Sequence, residues 1–277
     1  MTKTPAQSTP QNFLKFFETI GKRVKTWIQI VTDFSRLINE TLYWIVVGPF
    51  KDKPVDHPRA FEQMVFMGVK SIIIVFFVTF FTGVVLAMQA AYQLAQVGAT
   101  VYVSSLVSVS LCRELGPVLT ALVIAGRIGA AITAEIGSMK VSEQIEALET
   151  MAINPVRFLV VPKFLALVIM LPCLTVIGDL SGMFGGYLIG VYNLKINSAL
   201  FIQTALKFLT LKDIYSGLSK SIIFAIIISM VGCYQGLRTK EGAVGVGEAT
   251  TLSVVTSFIL IILADCVMTG IYFFSNI

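Results

Sequence analysis

Residues 113–155 read RELGPVLTALVIAGRIGAAITAEIGSMKVSEQIEALETMAINP. The stretch changes character halfway. From Gly116 to Ile136 it is apolar or small, enough to cross a bilayer as a helix. From Val141 to Asn154 it becomes a short amphipathic segment with Glu143, Glu146 and Glu149 on it. A membrane helix therefore runs directly into a surface helix with an acidic face. About ten residues at 1.5 Å each cover only ~15 Å, so the second helix cannot cross. Ser142 is predicted to cap it, Ile145, Leu148 and Ala152 to form its apolar side, and Asn154-Pro155 to end it. Such a helix is either an inert linker or the piece that couples a transporter to a motor outside the membrane.

The rest of the chain agrees with a membrane setting. Of 277 residues, 56% are hydrophobic and 13% charged, too apolar for a soluble domain. Ser71 to Cys112 contains no Asp, Glu, Lys, Arg or His, room for two passes. Helices are predicted at about 69–92, 101–136, 156–191, 217–237 and 251–274, with the surface helix at 142–153. Asn193–Asp213 is predicted to be a polar connection and Gly245-Val246-Gly247 a flexible turn. The fold class is all-α integral membrane, the permease domain covering 59–277.

Ahead of it, 1–11 is predicted to be disordered and 12–58 to hold an amphipathic helix and linker. Phe13, Phe17, Ile20, Val24, Trp27, Ile28, Val31 and Ile38 recur on one helical face, with Lys15, Lys22, Lys25 and Arg36 opposite. That division suits a helix lying in the headgroup plane; packing on a soluble core is the alternative. Ten of the 21 Lys and Arg residues fall in the first 70 positions, which places the N-terminus in the cytoplasm. Lys195, Lys207 and Lys212 then lie outside, against the rule. The basic charge rides on an apolar-faced helix, so a membrane surface is expected and nucleic acid is not. MTKTPAQSTPQ has no apolar core, so insertion through the first membrane helix is expected rather than a cleaved signal.

Few residues invite chemistry. Cys112, Cys173, Cys233 and Cys266 form no CxxC pair, and His57 is alone in a predicted loop, so no metal site and no catalytic residue is expected. No GxxxxGK[ST] occurs, so no nucleotide cofactor belongs to this chain. Charges within the apolar segments are Arg113, Glu114, Arg127, Glu135, Asp179, Lys220 and Asp265. Each costs about 2.5–3.5 kcal/mol at a helix centre and so needs a partner or water. Glu114 and Lys220 are predicted to share a depth and to pair, at a substrate cavity or merely as a helix-orienting ion pair. Gly116-Pro117 beside Glu114 breaks the backbone pattern, which membranes tolerate where a cavity is lined. Gly178, Gly182, Gly186 and Gly190 form a smooth stripe for close helix packing, within the subunit or at a dimer seam.

Together the RELGP block and GVGEATTLSVV (Gly245–Val255) closely resemble the signature regions of the MlaE-type, or YrbE-type, permeases of ABC lipid transporters that work with MCE proteins. The resemblance covers nearly the whole chain. It implies a permease that moves glycerophospholipids between the inner and outer membranes of a Gram-negative cell, or a similar pair in a plastid, maintaining outer-membrane lipid asymmetry. It further implies a homodimer in the inner membrane on two cytoplasmic ATPase subunits that bind ATP and Mg, an MCE-domain ring and a STAS-domain protein. Glu114 and Lys220 would belong to the lipid pocket, with Arg113 beside them. Glu143, Glu146 and Glu149 would face the ATPase. Phe80, Phe81, Val84, Leu86 and Met88 are apolar candidates for the pocket wall. An ATP-independent channel or secondary transporter using Glu114, Asp179 and Asp265 is the alternative, although no inverted repeat is visible. A membrane scaffold is a third.

Overall fold

The computed structural model describes residues 9–48, 57–240 and 242–274. Its helices are α1 (Thr9–Val46), α2 (His57–Met67), α3 (Ile72–Gln96), α4 (Val103–Ser110), α5 (Gly116–Ile124), α6 (Ala130–Val141), α7 (Gln144–Thr150), α8 (Val161–Leu188), α9 (Ser198–Phe208), α10 (Leu211–Leu237) and α11 (Gly242–Phe274). Several run on through π-helical turns. Among the described residues, five stretches are long and apolar enough to cross a membrane: Pro58–Gln96, Thr100–Val141, Val156–Asn193, Leu211–Leu237 and Gly242–Phe274. The chain is an all-α, multi-pass membrane protein.

α8 is the centre of the packing, because its glycines admit other backbones. A Cβ placed on Gly83 of α3 would lie 1.9 Å from the carbonyl oxygen of Gly182. The same α8 stripe meets Thr79 and Thr120 at Gly178, Val107 at Gly186 and the Phe201 ring at Gly190. The stripe is thus used inside the subunit, against α3, α4, α5 and α9. Thr79 and Ser181 hydroxyls join across this seam. A second small-residue face, on α6, lies against α10. Thr133 Oγ1 donates to the Gly232 carbonyl at 3.1 Å, and Gly137 abuts Thr239. α10 also packs on α8 and α11. Buried Ile124, Ile128, Ile132 and Ile136 share the resulting core with Leu167, Leu171, Phe224 and Ile228.

The structure departs from several expectations. The connection after α8 is not simply polar. Asn197 accepts from the Ala199 amide at 2.9 Å and starts α9, while Thr210 and Asp213 form a capping box that starts α10 early. Gly245-Val246-Gly247 is helical, inside α11, because the chain turns earlier, at Gly242 with φ +76°. His57 opens α2 rather than lying in a loop. The helical stretch that contains the first membrane segment begins at Pro58 and is interrupted by a short turn at Val69–Ser71.

α1 is helical from Thr9, three residues before the expected start of the amphipathic segment; the part of the disorder expectation covering 1–8 and the linker at 49–56 fall outside the described residues, as do the side chains of Phe13, Phe17, Ile20, Val24 and Trp27. Its protein-facing side holds Ile30, Phe34, Leu37, Ile38, Thr41 and Ile45. Ile28 and Val31, assigned to the same apolar face by periodicity, are 61% and 59% exposed. Two apolar flanks share the helix, one against protein and one outward.

Gly83→Leu should lower detergent thermal stability by about 1–3 kcal/mol or more, since the Gly182 backbone rather than a yielding side chain stands in the way. Gly247→Ala, where a Cβ meets nothing within 4 Å, should be neutral or stabilising by up to about 1 kcal/mol. Fluorescence-detected size exclusion after heating measures both.

Candidate functional site

The candidate site begins with a backbone irregularity. Between α4 and α5 the chain makes a π-helical turn, Leu111–Leu115, followed by Pro117 in the first turn of α5. A π turn inserts an extra residue and re-aims the side chains around it. Here those are Arg113 and Glu114. Gly217 of α10 packs so closely on this turn that an added Cβ would lie 2.1 Å from the Cys112 carbonyl oxygen. That contact brings Lys220, one turn further along α10, beside Glu114.

Lys220 is fully buried, and its ammonium has three partners. It donates to Glu114 Oε2 and to Thr269 Oγ1 at 2.7 Å, and it lies 2.9 Å from Asp265 Oδ1. Thr269 Oγ1 is in turn 3.2 Å from each oxygen of Glu114. The spacing of Asp265 and Thr269, four residues on α11, puts both on one helical face. Three helical segments thus meet in one polar cluster, with one cation and two carboxylates.

Of the ammonium's three donors, one goes to Glu114 and one to Thr269, while Asp265 Oδ1 faces it as an ion pair without a hydrogen bond. Because Lys220 is fully buried, a phosphate reaches it only if one of these partners moves aside. Glu114 has the most exposed side chain of the two carboxylates, 33% against 23% for Asp265, so it is the one free to yield. Arg113 points elsewhere: its guanidinium is 3.8 Å from Asp213 Oδ1, the residue that also caps α10. Asp179 is pressed against Gly116, where a Cβ would lie 1.7 Å from its Oδ1. That oxygen has no hydrogen-bond partner among the described residues. Phe81 and Met88 are 58% and 45% exposed, so this part of α3 forms an outward aromatic ladder with Phe76, Phe77 and Phe80.

At the other end of the bundle lies α7. Its helix is shorter than 142–153 and capped differently. The Ser142 hydroxyl donates back to the Ser138 carbonyl at 2.8 Å and so closes α6. Glu143 occupies the N-cap position in a left-handed conformation, φ +57°. Ala152, also left-handed at φ +58°, is exposed past the helix end instead of joining the apolar side. Ile145 and Leu148 are buried in the core and anchor the helix. Glu146 is not a free acidic group: the Lys140 ammonium donates to it and holds its carboxyl below the ordinary range. Glu143 and Glu149 are exposed. A cavity of about 820 Å³ opens beside the helix, with Lys140, Glu143, Glu146, Lys240 and Glu248 in its wall. The loop after α7 is tied to α1, Asn154 Nδ2 donating to Glu40 Oε1 at 2.8 Å and Arg157 lying over the Trp44 ring.

Sequence reasoning missed Asp265 and Thr269 as partners of Lys220, although their i, i+4 spacing near the end of the last helix was visible. It also passed over Lys163, which is 2% exposed and bonded to Glu135 Oε2 at 2.6 Å. No sequence signal separated that lysine from the loop charges around it.

Known proteins give this arrangement a context. The family described as Permease MlaE matches residues 60–271. A probable ABC transporter permease of Rickettsia prowazekii (strain Madrid E) is 39% identical over 260 residues, 94% of this chain and 98% of its own. A probable ABC transporter permease of Synechocystis sp. is 41% identical over 219 residues, covering 79% and 83%. The intermembrane phospholipid transport system permease protein MlaE of Haemophilus influenzae is 34% identical over 264 residues, covering 94% and 98%. The chain belongs to the MlaE permease family and is an ABC transporter permease.

Proposed function

We propose that this permease moves glycerophospholipids between the inner and outer membranes, maintaining the outer membrane's lipid asymmetry, and takes its energy from a separate ATPase through α7. The observation that carries the reading is the buried Lys220 cluster on three helical segments. A lone lysine in a membrane bundle is costly unless it serves or is fully satisfied. Here it is satisfied by a set that includes one displaceable carboxylate. The naming of the Haemophilus influenzae relative as a phospholipid transport permease supports lipid as the cargo.

In this reading a phosphate headgroup takes the place of Glu114 on Lys220, while Thr269 and Asp265 keep the ammonium oriented. Acyl chains lie against the apolar helix surfaces nearby. Glu114, on the second membrane helix, and α7 belong to one stretch of chain, joined by the tight turn at Ser142–Glu143, so displacement of α7 by a motor pulls on the helix that carries Glu114. Glu143, Glu149 and the Lys140–Glu146 pair offer the docking surface for a cytoplasmic ATPase, which binds ATP and Mg. In this reading the permease sits in the inner membrane with its N-terminus in the cytoplasm, as the basic charge of its first 70 residues favours. A second permease copy completes the membrane part, an MCE-domain ring receives lipid on the far side, and a STAS-domain protein binds the ATPase.

Glu114→Lys and Lys220→Glu should each cut lipid transfer on the order of tenfold or more, because each leaves like charges facing one another. The double swap restores one cation between two carboxylates and should recover a substantial part of the activity. A double variant as inactive as either single one contradicts the pairing. Reversing Glu143, Glu146 and Glu149 together should abolish co-purification with an ATPase while the protein still folds in detergent. Unchanged co-purification removes α7 from the coupling path.

A further inference from the structure

A second polar notch lies toward the α7 end of the bundle, away from Glu114 and Lys220. α2 ends at Met67, a short turn follows at Val69–Ser71, and α3 begins at Ile72. Lys70 is the last charge before the uncharged run to Cys112. Such a boundary sits where hydrocarbon meets headgroups. Across from it, Glu135 lies less than two turns before Val141, the end of α6, and Lys163 lies in the first turn of α8. The three helices therefore bring these charges to one depth.

Glu62, Gln63, Val65, Phe66, Lys70 and Glu135 line a cavity of about 390 Å³. One wall is a fixed ion pair. Buried Lys163 donates to Glu135 Oε2 at 2.6 Å and to Gln63 Oε1 at 3.4 Å. Glu135 is held in place by that bond yet keeps 47% of its side chain exposed. Glu62 and Lys70 are both exposed. At the rim, Val69 and Ile73 are 52% and 72% exposed, continuing an apolar surface along α3.

The cavity thus offers two carboxylates and one exposed ammonium, beside a surface suited to acyl chains. A headgroup with a phosphate and a primary amine matches both signs. A glycerol headgroup brings no cation to the carboxylates, and a quaternary choline brings no hydrogen-bond donor. We propose that this notch holds the headgroup of an amine-bearing phospholipid in the leaflet on the α7 side, its ammonium between Glu62 and Glu135 and its phosphate on Lys70. The inference rests on the lipid-permease reading and adds to it a headgroup site separate from the Lys220 cluster.

Native mass spectrometry of the full chain, released from nanodiscs of equal parts phosphatidylethanolamine and phosphatidylglycerol, tests it. Phosphatidylethanolamine should be retained in preference, and Glu62→Gln should reduce that preference about tenfold by removing one charge-assisted contact to the amine, whereas Lys70→Gln should weaken retention of both lipids, which share the phosphate. Glu62→Lys should shift retention toward phosphatidylglycerol, a gain that misfolding does not imitate. Equal retention of the two lipids, or a Glu62→Lys variant with unchanged preference, overturns the proposal. If that happens while an ATPase still co-purifies and transfer still depends on Glu114 and Lys220, the permease reading stands and only this site is lost.

Discussion

A fully buried ammonium inside a membrane bundle constrains everything around it. Lys220 is fully buried, so its charge has to be met by protein. Glu114, Asp265 and Thr269 meet it, and they come from two other membrane segments. The cluster consequently fixes the relative depth of α10, α11 and the π turn before α5. Ordinary apolar packing could not set that register, because in lipid one apolar face slides past another with little penalty.

The backbone makes the cluster possible. The π turn at Leu111–Leu115 turns Glu114 inward, and the absent side chain at Gly217 lets α10 approach the same turn. Further π turns occur at Ala125–Gly129 and Val156–Val160, which carry Arg127 and Arg157. In each case a charge sits where the helix is locally widened. Arg127 donates to Ser71 at the start of α3, and Arg157 reaches the α1 ring of Trp44. Three of the four π turns among the described residues thus carry a charge, the fourth, Ile189–Asn193, carrying none, and the contacts of Arg127 and Arg157 tie the outer helices to the centre. At the coupling end the same logic holds with α7, which is anchored by Ile145 and Leu148 and braced by the Lys140–Glu146 pair.

Much of this was legible in the chain itself. Long uncharged runs gave the five membrane segments, since the bilayer sets both their length and their composition. Glu114 and Lys220 stood out because charges are rare there. The stripe from Gly178 to Gly190 announced close packing, though not which helix would fill it; Gly83, Val107 and Phe201 emerge only in three dimensions. The stretch after Asn193 hid α9, because its eleven residues, though mostly apolar, are too few to register as a membrane span. Ser142 misled for a related reason: a hydroxyl that can open one helix can equally close the one before it. The depth shared by Lys163, Glu135 and Gln63 depends on three separate helices, and nothing local records it.

The most direct test of this account is a cryo-electron microscopy map of the full complex purified from its native membrane. The account predicts lipid-shaped density with its headgroup beside Glu114 and Lys220, and a nucleotide-hydrolysing subunit gripping α7 on the opposite side. A map with α7 touching no such subunit, or with lipid held away from Lys220, would contradict it.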